Sequence, residues 1–311
     1  AGALCMLPVF RRTVGGGAGF YAIFHAVSAF CNAGFSLFPD SLERYVANPV
    51  INVTIMGLVV CGGIGFVVIE DLAERLVGKR RRFTLHTRLV LAVTGALIVA
   101  GAVVYIAFEA GNAYRGMGPL QKLMAALFQS ITPRTAGFDT VNQATLTEPS
   151  KFFSMFLMYV GASPASTGGG IKTTTFFIVI AMIFRGTGAH DDVHAFGRKV
   201  SPDSIARGMM YALRAFAILA LAILILSVSE LLVRPSMDKR FLTVAFEVAG
   251  QPISALNGDN VVNTLDYSIL RYHWPIRPRL TPPTQRAARR RSRPRSAPPS
   301  PTRATSRRTA S

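Results

Sequence analysis

Ser28-Ala-Phe-Cys-Asn-Ala-Gly-Phe-Ser36 and Ser130-Ile-Thr-Pro-Arg-Thr-Ala-Gly-Phe-Asp139 lie about a hundred residues apart and share the triplet Ala-Gly-Phe. Each follows a short apolar stretch, Gly19 to Phe30 in one case and Leu120 to Ser130 in the other. Each is followed by a turn and a long hydrophobic run. Selectivity filters are made of backbone carbonyls, and glycine allows the φ values that turn a carbonyl toward an ion. Repetition of the flanking pattern argues for a lined hole over two unrelated glycine turns.

Composition supports a membrane setting. Half of the 311 residues are hydrophobic, and the mean hydropathy is +0.36. The net charge of +18 resembles a nucleic-acid signal, but 12 arginines between Arg271 and Ser311 supply most of it, leaving +6 for the first 270 residues. That remainder suits basic cytoplasmic loops. Cys5, Cys31 and Cys61 follow no metal-ligand spacing and read as apolar fillers or filter-adjacent residues.

Val50 to Ile69 reads as one full span containing several glycines, and Leu89 to Phe108 as the next. Between them the basic run Lys79-Arg-Arg-Arg82 is expected in the cytoplasm. Asp139 to Lys151 is polar and is expected to lie outside. Phe152 to Val160 and Phe176 to Phe184 are each about 14 Å of helix at 1.5 Å per residue, against about 30 Å of hydrocarbon. Between them lies Gly161-Ala-Ser-Pro-Ala-Ser-Thr-Gly-Gly-Gly-Ile-Lys-Thr-Thr-Thr175. Irregular backbone is excluded from lipid but permitted beside a water-filled pore, so the segment reads as a broken span. Met209 to Val233 is a further span, and Phe241 to Ala249 a third pore-helix candidate.

These residues, above all Gly161 through Thr175, resemble the membrane subunit of Ktr-type potassium uptake systems in the Trk/Ktr/HKT superfamily. The resemblance implies an all-α membrane protein of repeated membrane-pore-membrane units, with re-entrant pore helices around a central pore. It implies a selectivity filter that includes Cys31, Asn32, Ala33, Gly34 and Phe35, then Thr135, Ala136, Gly137 and Phe138. A gating loop would include Gly161, Ser163, Pro164, Ser166, Thr167, Gly168, Gly169, Gly170, Lys172 and Thr173. Lys172 reads equally as a functional charge or as an interfacial anchor. The transported ion would be K+, with Na+ a further candidate, and no cofactor or resident metal is expected. The family is similar in being a homodimer in the plasma membrane, regulated by a cytoplasmic ring of nucleotide-binding subunits.

On that pattern residues 1–77 form a second unit lacking most of its first helix, and 78–88 a basic cytoplasmic loop. Residues 89–184 form a third unit with a broken second helix, and 185–208 another cytoplasmic loop. Residues 209–249 form an incomplete fourth unit, and 250–311 an Arg/Pro/Ser-rich disordered tail. A filter glycine is due near Ala255 and Leu256 but is not there. The expectation is therefore a truncated start, a frameshift shortly after Ala249, and little or no conduction by the chain as written. The rival for the tail is electrostatic binding of anionic lipid or non-specific binding of nucleic acid; specific nucleic-acid recognition is not expected.

An enzyme is disfavoured. Gly168-Gly-Gly-Ile-Lys172-Thr173 has Ile171 where a phosphate-binding loop needs glycine. His190-Asp-Asp-Val-His194 has metal-like spacing only if helical, and a partner-subunit contact through Asp191 and Asp192 is the simpler reading.

Overall fold

The computed structural model describes residues 1–78, 82–184, 194–195, 198–200, 202–233, 245 and 249. Readings placed on the His190 to His194 pair, on most of 234–249 and on the tail from 250 fall outside the described residues, except for the strand residue His194 and for Ala245 and Ala249.

The described fold is helical: α1 (Gly2–Thr13), α2 (Ala18–Phe30), α3 (Pro49–Gly63), α4 (Phe66–Leu76), α5 (Leu85–Glu109), α6 (Pro119–Ile131), α7 (Glu148–Tyr159), α8 (Thr173–Ile183) and α9 (Pro202–Val233). A two-residue antiparallel pairing of His194–Ala195 with Arg198–Lys199 is the only sheet among the described residues. Leu85–Glu109 and the Pro202–Ile225 portion of α9 are long and apolar enough to cross a membrane.

Val50 to Ile69 is not one straight helix. The chain bends by 104° between α3 and α4. The cause is Gly65, at φ +93°, where a methyl group would come within 2.4 Å of the Pro164 carbonyl oxygen. The Phe66 amide then donates to the Ala165 carbonyl at 2.8 Å, starting α4 against a distant loop.

Two short helices, α2 and α6, precede the two Ala-Gly-Phe segments, and each is partly buried. Around α2 an aromatic cluster forms, in which the Phe10 ring lies 5.4 Å from His25, 5.8 Å from Phe38 and 5.6 Å from Tyr45. His25 is fully buried. Its Nδ1 donates to the Tyr21 carbonyl at 2.8 Å, while Nε2 faces the Ser36 hydroxyl at 3.1 Å and accepts from the Leu37 amide. These partners suit a neutral imidazole that fixes the turn after the first Ala-Gly-Phe. Helix α6 docks on α5 through Gly101, where a methyl would lie 2.1 Å from Ser130 Oγ. That oxygen donates to the Ile98 carbonyl at 2.8 Å.

The C-terminal end of α5 is held by Glu109. Its carboxylate is fully buried and accepts from the Thr147 amide and hydroxyl, from Asn112 Nδ2 and from the Ala113 amide. The start of α7 is thereby tied to the end of α5. Tyr105 Oη and Ser154 Oγ, 2.6 Å apart, join the same two helices deeper down.

Candidate functional site

The two Ala-Gly-Phe segments adopt matching backbones. Asn32 has φ +51° and Gly34 +68°; at the corresponding places Thr135 has +72° and Gly137 +78°. Left-handed φ at a non-glycine residue is uncommon, and for β-branched threonine it is an outlier that surrounding structure must hold. The holding bonds also match. Ser28 Oγ donates to the Phe35 carbonyl at 2.9 Å, and Thr132 Oγ1 donates to the Phe138 carbonyl. The Ala33 amide donates to the Ser28 carbonyl and the Ala136 amide to the Thr132 carbonyl. The ends of α2 and α6 therefore brace the segments that follow them by similar bonds.

The Gly161 to Thr173 loop is tied down at many points. The Ser163 amide donates to the Gly63 carbonyl and the Thr167 amide to the Gly62 carbonyl, satisfying acceptors that the end of α3 leaves open. Thr167 Oγ1 lies 3.1 Å from the carbonyls of both Phe30 and Gly62. Ser166 Oγ donates to the Ser163 carbonyl and Thr173 Oγ1 to Ser163 Oγ. Lys172 Nζ donates to the Gly168 carbonyl at 2.8 Å. Gly170 has φ +74°.

The loop meets both strands. The Asn32 amide group lies 2.8 Å from Thr167 Oγ1. A methyl on Gly168 would come within 2.5 Å of Thr135 Oγ1, and that hydroxyl is itself buried without a hydrogen-bond partner. Consecutive loop residues thus abut the left-handed residue that opens each strand. Arg134 adds a third tie, from Nη2 to the Gly161 carbonyl at 3.4 Å.

Cys31 is the C-cap of α2, with right-handed φ −76° and ψ 0°, and directly precedes the left-handed Asn32. Cys5, Cys31 and Cys61 are all exposed and fill no core. Asp139 and Thr140 are buried within the fold. The reason is a bridge to the turn after the Asn32–Phe35 strand: the Leu42 amide donates to the Asp139 carbonyl at 2.8 Å, and the Asp139 amide donates to Ser41 Oγ at 3.0 Å. Burial pushes the Asp139 carboxyl up to about 7; the nearby Glu43 charge adds to the rise and a Gln143 hydrogen bond opposes it. Glu43 is itself raised, first by burial and then by Asp40.

Sequence reasoning passed over Arg134, Glu109 and the bracing hydroxyls of Ser28 and Thr132. Arg134 carried a usable signal, because a lone charge in a segment read as membrane-embedded is a functional flag by default. The hydroxyls carried none, being ordinary residues at helix ends.

Residues 2–256 match the TrkH cation transport protein family. The chain belongs to this family of cation transporters. Members are transporters and not enzymes, and the membrane is their setting. The potassium/sodium uptake protein NtpJ of Enterococcus hirae is 31% identical over 276 residues, covering 86% of this chain and 61% of that protein. The Ktr system potassium uptake protein B of Bacillus subtilis is 36% identical over 232 residues, covering 73% of this chain and 50% of that protein. The chain thus spans 50–61% of the length of these relatives. The crystal structure of the potassium transporter TrkH from Vibrio parahaemolyticus superposes with a TM-score of 0.60 at 17% identity, over 88% of this chain and 62% of that one. That likeness is one of fold.

Proposed function

We propose that this TrkH-family chain moves potassium across the plasma membrane, through a filter that includes Asn32 to Phe35 and Thr135 to Phe138. The carrying observation is the matched pair of strands, each with left-handed φ at its first and third residues and each abutted by the Gly161 to Thr173 loop. Alternation of handedness along a strand turns successive carbonyls toward one side, which is the arrangement a partly dehydrated cation requires. The unpartnered Thr135 hydroxyl oxygen adds a side-chain ligand at the inner end. One glycine per strand implies few stacked ion sites, so sodium is a second candidate cargo.

In the same reading the loop is the gate. It presses on the first residue of each strand, and its hydroxyls at Ser163, Ser166, Thr167 and Thr173 are able to exchange partners without leaving a buried group unpaired. Assembly as a homodimer with nucleotide-binding regulatory subunits on the cytoplasmic side completes the proposal; the names of relatives as Ktr system proteins support it.

The test is growth at low external potassium of cells lacking their own uptake systems. Cells making the chain are expected to outgrow vector controls, with loss of the advantage on replacing Gly34 and Gly137 together. Growth equal to the vector would overturn the proposal and favour the expectation, stated above, of little or no conduction by the chain as written.

A further inference from the structure

Arg134 stands between the loop and Thr135–Phe138, the third filter strand on the family pattern. It precedes Thr135, and only 9% of its surface is exposed. Among the described residues its guanidinium makes one hydrogen bond, the long one to the Gly161 carbonyl, and Nε is buried with no partner. The ion pairs among those residues are Arg44–Asp40 and Lys151–Glu148, so no carboxylate of a described residue neutralises Arg134. A guanidinium has five N–H donors. Burying one so sparsely paired is costly, and an apolar residue of similar volume would fill the same space at less cost. A packing role alone therefore does not account for it.

Its acceptor sits at the throat of the loop. A methyl on Gly161 would lie 1.9 Å from the Gly169 carbonyl oxygen, and the Ala162 amide donates to that same oxygen at 2.9 Å. The two limbs of the loop close on each other there. The loop consequently touches the third strand twice, at its throat through Arg134 and further along through Gly168 against Thr135.

We infer that Arg134 is a positioning residue that latches the throat of the Gly161 to Thr173 loop beside the filter, so that withdrawal of the loop strips the guanidinium of its acceptor. The bond biases the loop toward the position seen here. It links gate position to the strained Thr135 backbone one residue away.

This rests on the filter-and-loop reading, so the test follows loop position independently of transport. The full chain carries Cys5→Ser, Cys31→Ser and Cys61→Ser with Ser166→Cys as a reporter, and its rate of modification by a small charged methanethiosulfonate is measured. Arg134→Gln is expected to raise that rate about tenfold, the ratio set by losing one weak charge-assisted hydrogen bond. Arg134→Lys keeps the charge on a poorer geometry and is expected to fall between Gln and wild type. A control chain without the reporter keeps Cys5, exposed on α1, whose rate should not change.

Equal rates in wild type and Arg134→Gln overturn the latch, as does equal acceleration at Cys5, which means general loosening. If Arg134→Gln does not fold, Arg134→Lys decides alone, and a wild-type rate overturns the latch. A chain that carries no ions but shows the rate difference defeats the transport reading and keeps the latch. A conducting chain with equal rates does the reverse.

Discussion

Gly168 packs against Thr135 so closely that a methyl group on the glycine would sit 2.5 Å from the threonine hydroxyl oxygen and equally close to the Ala162 methyl. The Gly-rich loop and the third strand therefore share one fitted contact. Gly168→Ala is expected to cost about 1–3 kcal/mol through overpacking, measured by denaturation of the purified chain. Thr135→Ala in the same chain should recover part of that loss, because it removes one of the two clashing atoms. Strictly additive losses would show that the contact is not shared.

The bend between α3 and α4 yields a paired prediction. Gly65 has φ +93° and faces the Pro164 carbonyl, whereas Gly57 lies within α3 with open space around its Cα. Gly65→Ala should destabilise the chain by more than about 1 kcal/mol. Gly57→Ala should be neutral or slightly stabilising, since alanine is the better helix former. Thermal unfolding of the two variants side by side checks this, and equal effects would refute it.

Asp139 predicts a pH dependence of definite sign. Its carboxyl is held up at about 7 in the folded chain, against about 3.9 when unfolded. Between those values the folded chain keeps a proton that the unfolded chain has released. Stability should therefore fall as pH rises from about 4 to about 7 and level off above. In Asp139→Asn this component of the fall should vanish, as read from midpoints of unfolding across that range.

Glu109 is fully buried and accepts from four donors at the junction of α5 and α7. Glu109→Gln presents an amide NH2 to some of those donors and should cost about 1–3 kcal/mol. Glu70→Gln, at an exposed position on α4, should change stability by less than about 0.5 kcal/mol. Denaturant unfolding distinguishes the two.

What was legible in the chain followed from local constraints. The short apolar lengths before Ala33 and Ala136 read directly as α2 and α6. The glycine run between two short apolar segments read as an interruption, and the backbone is irregular there, between α7 and α8. Features set by distant contacts did not show. Gly65 bends the chain because Pro164 lies against it, and nothing within Val50 to Ile69 announces that neighbour. The burial of Asp139 did not show either, because it depends on Ser41 and Leu42, about a hundred positions earlier. The meeting of Thr167 with Asn32 and of Gly168 with Thr135 joins residues far apart in sequence, and period and composition do not encode such contacts.

The most direct measurement is rubidium and sodium uptake, in cells lacking native potassium uptake, by the wild-type chain and by Gly137→Ser. Gly137 has φ +78°, a conformation that serine adopts only under strain, so the substitution should disturb the carbonyls of the third strand. The expected result is wild-type rubidium uptake above the vector control and a preference for rubidium over sodium that Gly137→Ser reduces severalfold. Wild-type uptake with a preference unchanged in Gly137→Ser would remove that strand from the ion path and contradict the proposed filter.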